Sequence, residues 1–377
     1  MRRGGRWLAG SALALALLGV AALGVIGWYY SDEILGPDAP PRLVEQRVIS
    51  DGPDRVTLSR DRESELPGVW ALEWEGGYGR VGALLGGDSA SVTREFTRLA
   101  GAPPVGGRAS LRGVARAADP GTWAGLDFEE VVLEGPLGPQ PAWWVPGPDS
   151  TWVIYVHGRG AGRSEALRTL GVLARRGLPG LLITYRNDAG GPATPDGRYR
   201  LGQEEWRDVE PAVRWALDHG ARDVVLSGYS MGGQIVTRFL TESPLASHVR
   251  AAVLEAPVLD WNATLAMQTR KRGLPLFLLA AGKWVTSARA GIDWDGLDRV
   301  AHAGAIRAPL LILHDVDDRW TPFAVSEDMA RALPGQVTLV PTRGGNHVES
   351  WNADPSRYAD AVNRWCDAER IGRGSTP

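Results

Sequence analysis

Gly228-Tyr229-Ser230-Met231-Gly232 places a serine between two glycines, and several histidines and aspartates follow it in the chain. A serine hydroxyl is a poor nucleophile at neutral pH. It attacks a carbonyl when a base takes its proton and a carboxylate orients that base and stabilises its charged form. The flanks of this stretch suit that chemistry. "RDVVLSGYS" reads as a buried strand and "MGGQIVTRFLTES" as a helix. A serine on a sharp strand-to-helix turn is strained, with its Oγ lifted above the sheet edge. Gly228 and Gly232 would leave room for the backbone that passes close by, and Gly233 is expected to serve close helix packing.

Of six histidines, His157 precedes the serine, His219 and His248 fall at helix ends or loops, His302 lies in a segment over the site, and His314 ends a strand. His347, in "RGGNHVESW", follows the last expected strand and precedes the last helix, the place for a general base. For the acid, "LLILHDVDDRWTP" offers Asp315, Asp317 and Asp318, with Asp260 after the preceding strand as the alternative. The oxyanion formed in acyl transfer needs backbone N–H donors. Met231, after the serine, is one candidate. Arg159, in the loop "HGRGAGR", is the other, with His157 and Gly158 shaping that loop.

These residues need a scaffold. From Asp127 onward, apolar strands such as "TWVIYVHG" and "APLLILHD" alternate with amphipathic helices such as "SEALRTLGVLARRG". That alternation predicts an α/β domain over 127–377, a mostly parallel central sheet with helices on both faces. The stretch from about 261 to 306 is longer than a crossover needs and predicts a small helical lid. Between 36 and 126, after the linker "GPDAPP", short alternating pieces ("RVTLSR", "GVWALEW", "SVTREFTRL") predict a small β-rich extension with no catalytic constellation of its own.

Residues 1–35 read differently. Three arginines lead an uncharged apolar run from Trp7 to Tyr30, and Asp32, Glu33 and Asp38 follow. A run of roughly 20 apolar residues suffices to cross a bilayer. The charge order predicts a single-pass signal-anchor outside the globular fold, with the bulk of the chain extracytoplasmic. Secretion after signal cleavage is the alternative. With 41 basic against 44 acidic residues the net charge is −3, which gives no sign of a nucleic-acid partner. Cys366 is the single cysteine, so an intrachain disulfide is excluded and a cysteine metal site disfavoured. No phosphate-loop or HExxH motif occurs, and the expected chemistry needs no cofactor.

Taken together, "VHGRG", "GYSMGG", "LLILHDVDDRWTP" and "GGNHVESW" resemble the α/β-hydrolase superfamily of serine hydrolases, nearest to membrane-anchored bacterial lysophospholipase-like and serine-aminopeptidase-like members. The resemblance covers about Asp127 to Glu369. It implies the α/β-hydrolase fold. The family's acid motif, strand-H-G-x-x-D-x-x-V-P, aligns with His314 and Asp318, with Asp315 in place of the glycine and Thr321-Pro322 closing it. Asp318 is therefore the implied acid, beside Ser230 and His347. "YRND" (Tyr185–Asp188) and "EEWRD" (Glu204–Asp208) also resemble segments of one bacterial subgroup. The expected activity is hydrolysis of a carboxylic ester, from a small-molecule or lipid substrate. Peptidase or acyltransferase action by the same residues is the alternative, and a catalytically weak membrane-tethered binding protein is the rival of another class.

Overall fold

The computed structural model describes residues 2–36 and 44–372, without the side chains of residues 2–16 and of Val20. Helix α1 (Arg2–Leu35) opens the chain. Among the described residues no helix is long and apolar enough to cross a membrane. The side chains of 7–16, the first part of the expected span, and most of the expected linker lie outside them. The end of α1 departs from expectation, because it belongs to the globular fold. Ser31, Ile34 and Leu35 are buried, and the Leu35 carbonyl accepts a hydrogen bond from the Tyr199 amide at 3.0 Å. Asp32 pairs with Arg289 at 2.6 Å and Arg198 at 3.1 Å, and Glu33 pairs with Arg272. The i, i+3, i+4 spacing of Ser31, Ile34 and Leu35 gave this last turn an inward face that the long apolar run conceals.

Strands β1 (Glu45–Asp51), β2 (Arg55–Ser59), β3 (Trp70–Trp74), β4 (Gly77–Gly87), β5 (Ser91–Ala100) and β6 (Arg108–Arg112) close into a barrel in the order β1-β2-β5-β4-β3-β6. Closure removes the unpaired edges that an open antiparallel sheet would expose. Alternation along the strands turns Val48, Val56, Leu58, Trp70, Leu72 and Phe96 inward. Among them Arg94 is fully buried, and its guanidinium donates to the carbonyls of Ser64, Leu66, Gly68 and Gly82 at 2.6–3.2 Å. The β-rich extension expected from sequence is thus a barrel pinned at its heart by one arginine.

After the short helix α2 (Pro120–Ala124), β7 (Glu129–Gly135) and β8 (Gly138–Val145) form an antiparallel pair. The remaining chain alternates β9 (Thr151–Val156), α3 (Leu167–Ala174), β10 (Gly180–Ile183), α4 (Glu210–Asp218), β11 (Asp223–Tyr229), α5 (Met231–Glu242) and β12 (Val249–Glu255). It continues through α6 (Trp261–Lys271), α7 (Leu276–Ala290), β13 (Leu310–Asp315), α8 (Phe323–Ala332), β14 (Val337–Thr342), α9 (Ser350–Ala353) and α10 (Pro355–Ala368). The sheet order is β14-β13-β12-β11-β9-β10-β8-β7, parallel from β14 to β10. Every residue of β9 and β13 is buried, as strands covered on both faces must be. The chain leaves β9 toward β10 on one side and returns to β11 on the other, which opens a crevice at their C-terminal ends. α6 and α7, within the stretch from about 261 to 306, line that crevice.

Arg94→Met is expected to destabilise the protein by about 3 kcal/mol or more, since it strands several buried carbonyls. Urea denaturation of the full chain measures this; a change below about 1 kcal/mol contradicts the role given to Arg94.

Candidate active site

The turn between β11 and α5 holds Ser230 at φ 50°, a region costly for a residue with a Cβ. Backbone bonds on both sides keep it there. The Ser230 amide donates to the Glu255 carbonyl at 3.1 Å, and its carbonyl accepts from the Val258 amide at 2.9 Å. A Cβ on Gly232 would stand 2.0 Å from the Val156 carbonyl oxygen, and one on Gly228 would stand 2.6 Å from that of Gly232. Both glycines therefore permit the close backbone crossings foreseen for them. Gly233 faces Pro257 on the next loop, the packing role expected of it.

The structure brings three distant side chains together here. His347 Nε2 lies 2.9 Å from Ser230 Oγ, and His347 Nδ1 lies 2.8 Å from Asp318 Oδ2. Asp318 also accepts from the Trp320 amide at 2.6 Å, the Thr321 amide at 3.0 Å and the Thr321 hydroxyl at 2.9 Å. Burial pushes the Asp318 carboxyl up. The charge of His347 and the hydrogen bonds from His314, His347 and Trp320 outweigh burial and hold it well below the ordinary carboxylate range. Asp318 thus stays charged beside the imidazole. With the proton on Nδ1, His347 donates to Asp318, and Nε2 is left to accept the Ser230 hydroxyl.

The other aspartates have separate work. Asp315 is fully buried and accepts from the Gly345 amide at 2.7 Å and the Asp317 amide at 2.8 Å, so it ties down the histidine loop. Asp260 caps α6 through the Asn262 amide at 2.7 Å. Asp317 is exposed, with Arg343 at 3.8 Å.

Met231 is the first residue of α5, whose leading N–H groups have no partner within the helix. Arg159 follows Gly158, which packs against Ser230 Cβ. The Arg159 side chain turns to the end of α1 and donates to the carbonyls of Glu33 at 2.7 Å and Gly36 at 2.8 Å. The loop is braced from behind. His157 stacks on Tyr185, and its Nε2 lies 2.8 Å from Asp188 Oδ2. The Gly158 amide donates to Glu165 at 2.6 Å. "YRND" and "EEWRD" meet here as well: Arg186 forms a two-pronged pair with Asp208 at 2.7 and 2.9 Å.

Sequence reasoning missed several supports. His314 lies 3.2 Å from Asp318 through Nε2 and 2.7 Å from Ser326 Oγ through Nδ1. Its place in the acid motif was the available signal. Arg168 carried none. It is buried, pairs with Glu165 at 3.4 Å and donates to the Val348 carbonyl. Val348 and Asn346, which flank His347, have φ of 56° and 46°. A β-branched residue in this region needs external restraint, and the Arg168 guanidinium supplies it. On the other side Asn352 donates to the carbonyls of Val69 at 2.8 Å and Gly113 at 2.7 Å, docking the barrel on the segment after His347.

Ser230 and His347 open on a cleft of about 1050 Å³. One wall comes from the end of α1 (Tyr30, Ile34), another from α6 and α7 (Leu265, Leu278), and a third from the segment after β6 (Val114, Arg116). Among the described residues no cluster of three or more histidine, cysteine or acidic side chains is placed to hold a metal ion.

A model of the alpha/beta hydrolase family matches residues 153–361, more than half of the chain. The chain belongs to that family. A second model, described as a domain of unknown function, matches residues 47–112 of this hydrolase, the extent of the barrel. Comparison with curated proteins gave no match. Among solved structures, the hydrolase is similar to an esterase of Pyrococcus furiosus in several crystal forms. One aligns with a TM-score of 0.55 at 16% identity over 67% of this chain and 94% of the other. A second gives 0.54 at 17% over 67% and 96%. These likenesses reflect the fold.

Half-buried Glu349 lies two residues past His347, and burial of its charge, opposed by Arg168 and His347, pushes its carboxyl up to about 7. The folded protein therefore binds this proton more tightly than the unfolded chain, whose carboxyl titrates near 4.5. Its stabilising contribution is complete below about 4.5 and is lost as pH rises through about 7. Glu349→Gln should gain stability relative to the parent at pH 8 compared with pH 5 in paired urea titrations; an equal difference at both pH values contradicts this.

Proposed function

We propose that this hydrolase cleaves carboxylic esters through an acyl-enzyme, with Ser230 as nucleophile, His347 as general base and Asp318 as its orienting acid. The observation that carries this reading is the continuous chain of contacts from Ser230 Oγ through both nitrogens of His347 to Asp318. As Oγ attacks the carbonyl carbon, its proton passes to His347 Nε2, and the Asp318 carboxylate stabilises the imidazolium. Charge develops on the carbonyl oxygen, where the amides of Met231 and Arg159 serve as the donors. The imidazolium then gives its proton to the departing alkoxide, and the acyl group stays on Ser230. Water, losing a proton to His347, attacks the acyl carbon, and the collapsing intermediate returns Ser230 to its hydroxyl form.

Esters are the easiest acyl donors, which favours them as the substrate class, and the cleft has apolar walls on α1, α6 and α7 that suit an acyl chain. We further propose that the part of the apolar run Trp7–Tyr30 that precedes Gly27 anchors the enzyme as a single pass, with the catalytic domain extracytoplasmic. The three leading arginines and the trailing Asp32, Glu33 and Asp38 support this orientation.

A fluorophosphonate probe should label the parent protein and leave Ser230→Ala unlabelled; a folded parent that resists the probe sinks the reading. Asp318→Asn should lower kcat on a short ester by about 10⁴ with little change in KM. Retention of most of the parent rate would remove Asp318 from the mechanism.

A further inference from the structure

Helix α7 is packed on one side and open on the other. Leu278 and Leu279 look into the cleft. Ala281, Gly282 and Val285 pack on α1, where Gly27 is so close that a Cβ on it would meet Val285 Cγ2 at 2.8 Å. The remaining face points to solvent. It consists of Leu276, Phe277, Ala280, Trp284 and Ala288, every one exposed and every one apolar. Helical geometry places these five within roughly a third of the circumference. Trp284 is 73% exposed, Phe277 61% and Leu276 45%. Isolated exposed apolar residues are ordinary, but a whole helix face of them marks a contact surface.

Two observations identify what covers it. Beside it on α1, Leu17, Leu18, Leu23, Val25, Trp28 and Tyr29 are exposed too, so the apolar surface runs across both helices. At the end of α6, shortly before α7, Arg270, Lys271 and Arg272 are exposed, Lys271 donating to the Arg319 carbonyl and Arg272 paired with Glu33. Apolar and aromatic side chains bordered by basic residues match the acyl region of a bilayer and its anionic headgroups. We propose that the outer face of α7 is seated in the lipid surface, beside α1, so that the cleft receives its ester from the membrane. The two helices that would touch lipid also supply the cleft walls at Leu278, Leu279, Tyr30 and Ile34. An acyl chain could then pass between bilayer and Ser230 without crossing open water. The lipid contact stands on the exposed face of α7, whereas the delivery of an ester rests on the activity proposed above.

The test uses the full chain in phosphatidylcholine vesicles containing phosphatidylglycerol. Phe277→Cys and Trp284→Cys carry an environment-sensitive fluorophore; Asp360→Cys on the exposed face of α10 is the control, and the native Cys366 is buried. Phospholipids brominated on the acyl chain should quench the labels at 277 and 284 and spare that at 360. Quenching at 277 and 284 no greater than at 360 overturns the proposal. So does efficient cross-linking between chains through Trp284→Cys, which would make a second copy the occupant. Phe277→Asp with Trp284→Asp should retain turnover of a short water-soluble ester while losing about tenfold on an ester embedded in the vesicles. Equal turnover of the embedded ester by parent and variant overturns the delivery route. A parent inactive on every ester, with quenching intact, would instead count against the ester reading.

Discussion

The backbone at Ser230 is the constraint around which the rest is arranged. Its φ of 50° is unfavourable for any residue with a Cβ, at a cost of about 1–3 kcal/mol. That conformation persists because the Glu255 carbonyl and the Val258 amide grip the turn from β12 and its loop. It also needs glycine at 228 and 232, where passing backbone leaves no space for a side chain. The same arrangement points the hydroxyl at His347 and leaves the start of α5 facing the same space.

Strain is shared by the partner loop. His347 lies between Asn346 and Val348, both with positive φ, and is held by groups from separate parts of the chain. Asp315 fixes Gly345, Arg168 fixes Val348, and Glu255 accepts from the Ser350 amide at 2.9 Å. Arg168 also pairs with Glu165, which holds Gly158 beneath the serine. The Gly158–Arg159 loop and the loop carrying His347 are thus joined through one buried guanidinium. Such a charge is costly to bury alone and is tolerated because carboxylate and carbonyl groups surround it.

The additional modules reach this centre directly. The barrel meets the segment after His347 through Asn352, and the end of α1 is tied to the Gly158–Arg159 loop through the Arg159 guanidinium. Neither is a remote appendage, and both line the cleft. In the sequence, by contrast, α1 looked like a bare apolar span and the barrel like a β-rich extension. Strand β6 carried too weak an alternation in "RASLR" to stand out, yet without it the barrel would stay open between β1 and β3.

The sequence by itself determined the alternation of strands and helices, the serine on its tight turn, and the order in which Asp318 and His347 follow it. Those features are local: residue spacing, hydrophobic period and glycine placement suffice to read them. It also singled out Asp318 among neighbouring aspartates, through the motif that begins at His314. Only the tertiary structure decided that Asp315 secures a loop and that Asp260 caps a helix, because an isolated carboxylate looks the same in either role. Only it paired Arg186 with Asp208, set Arg168 against Val348, and folded the end of α1 into the cleft. Each of these joins residues remote in sequence, through side-chain reach and burial that no local pattern encodes.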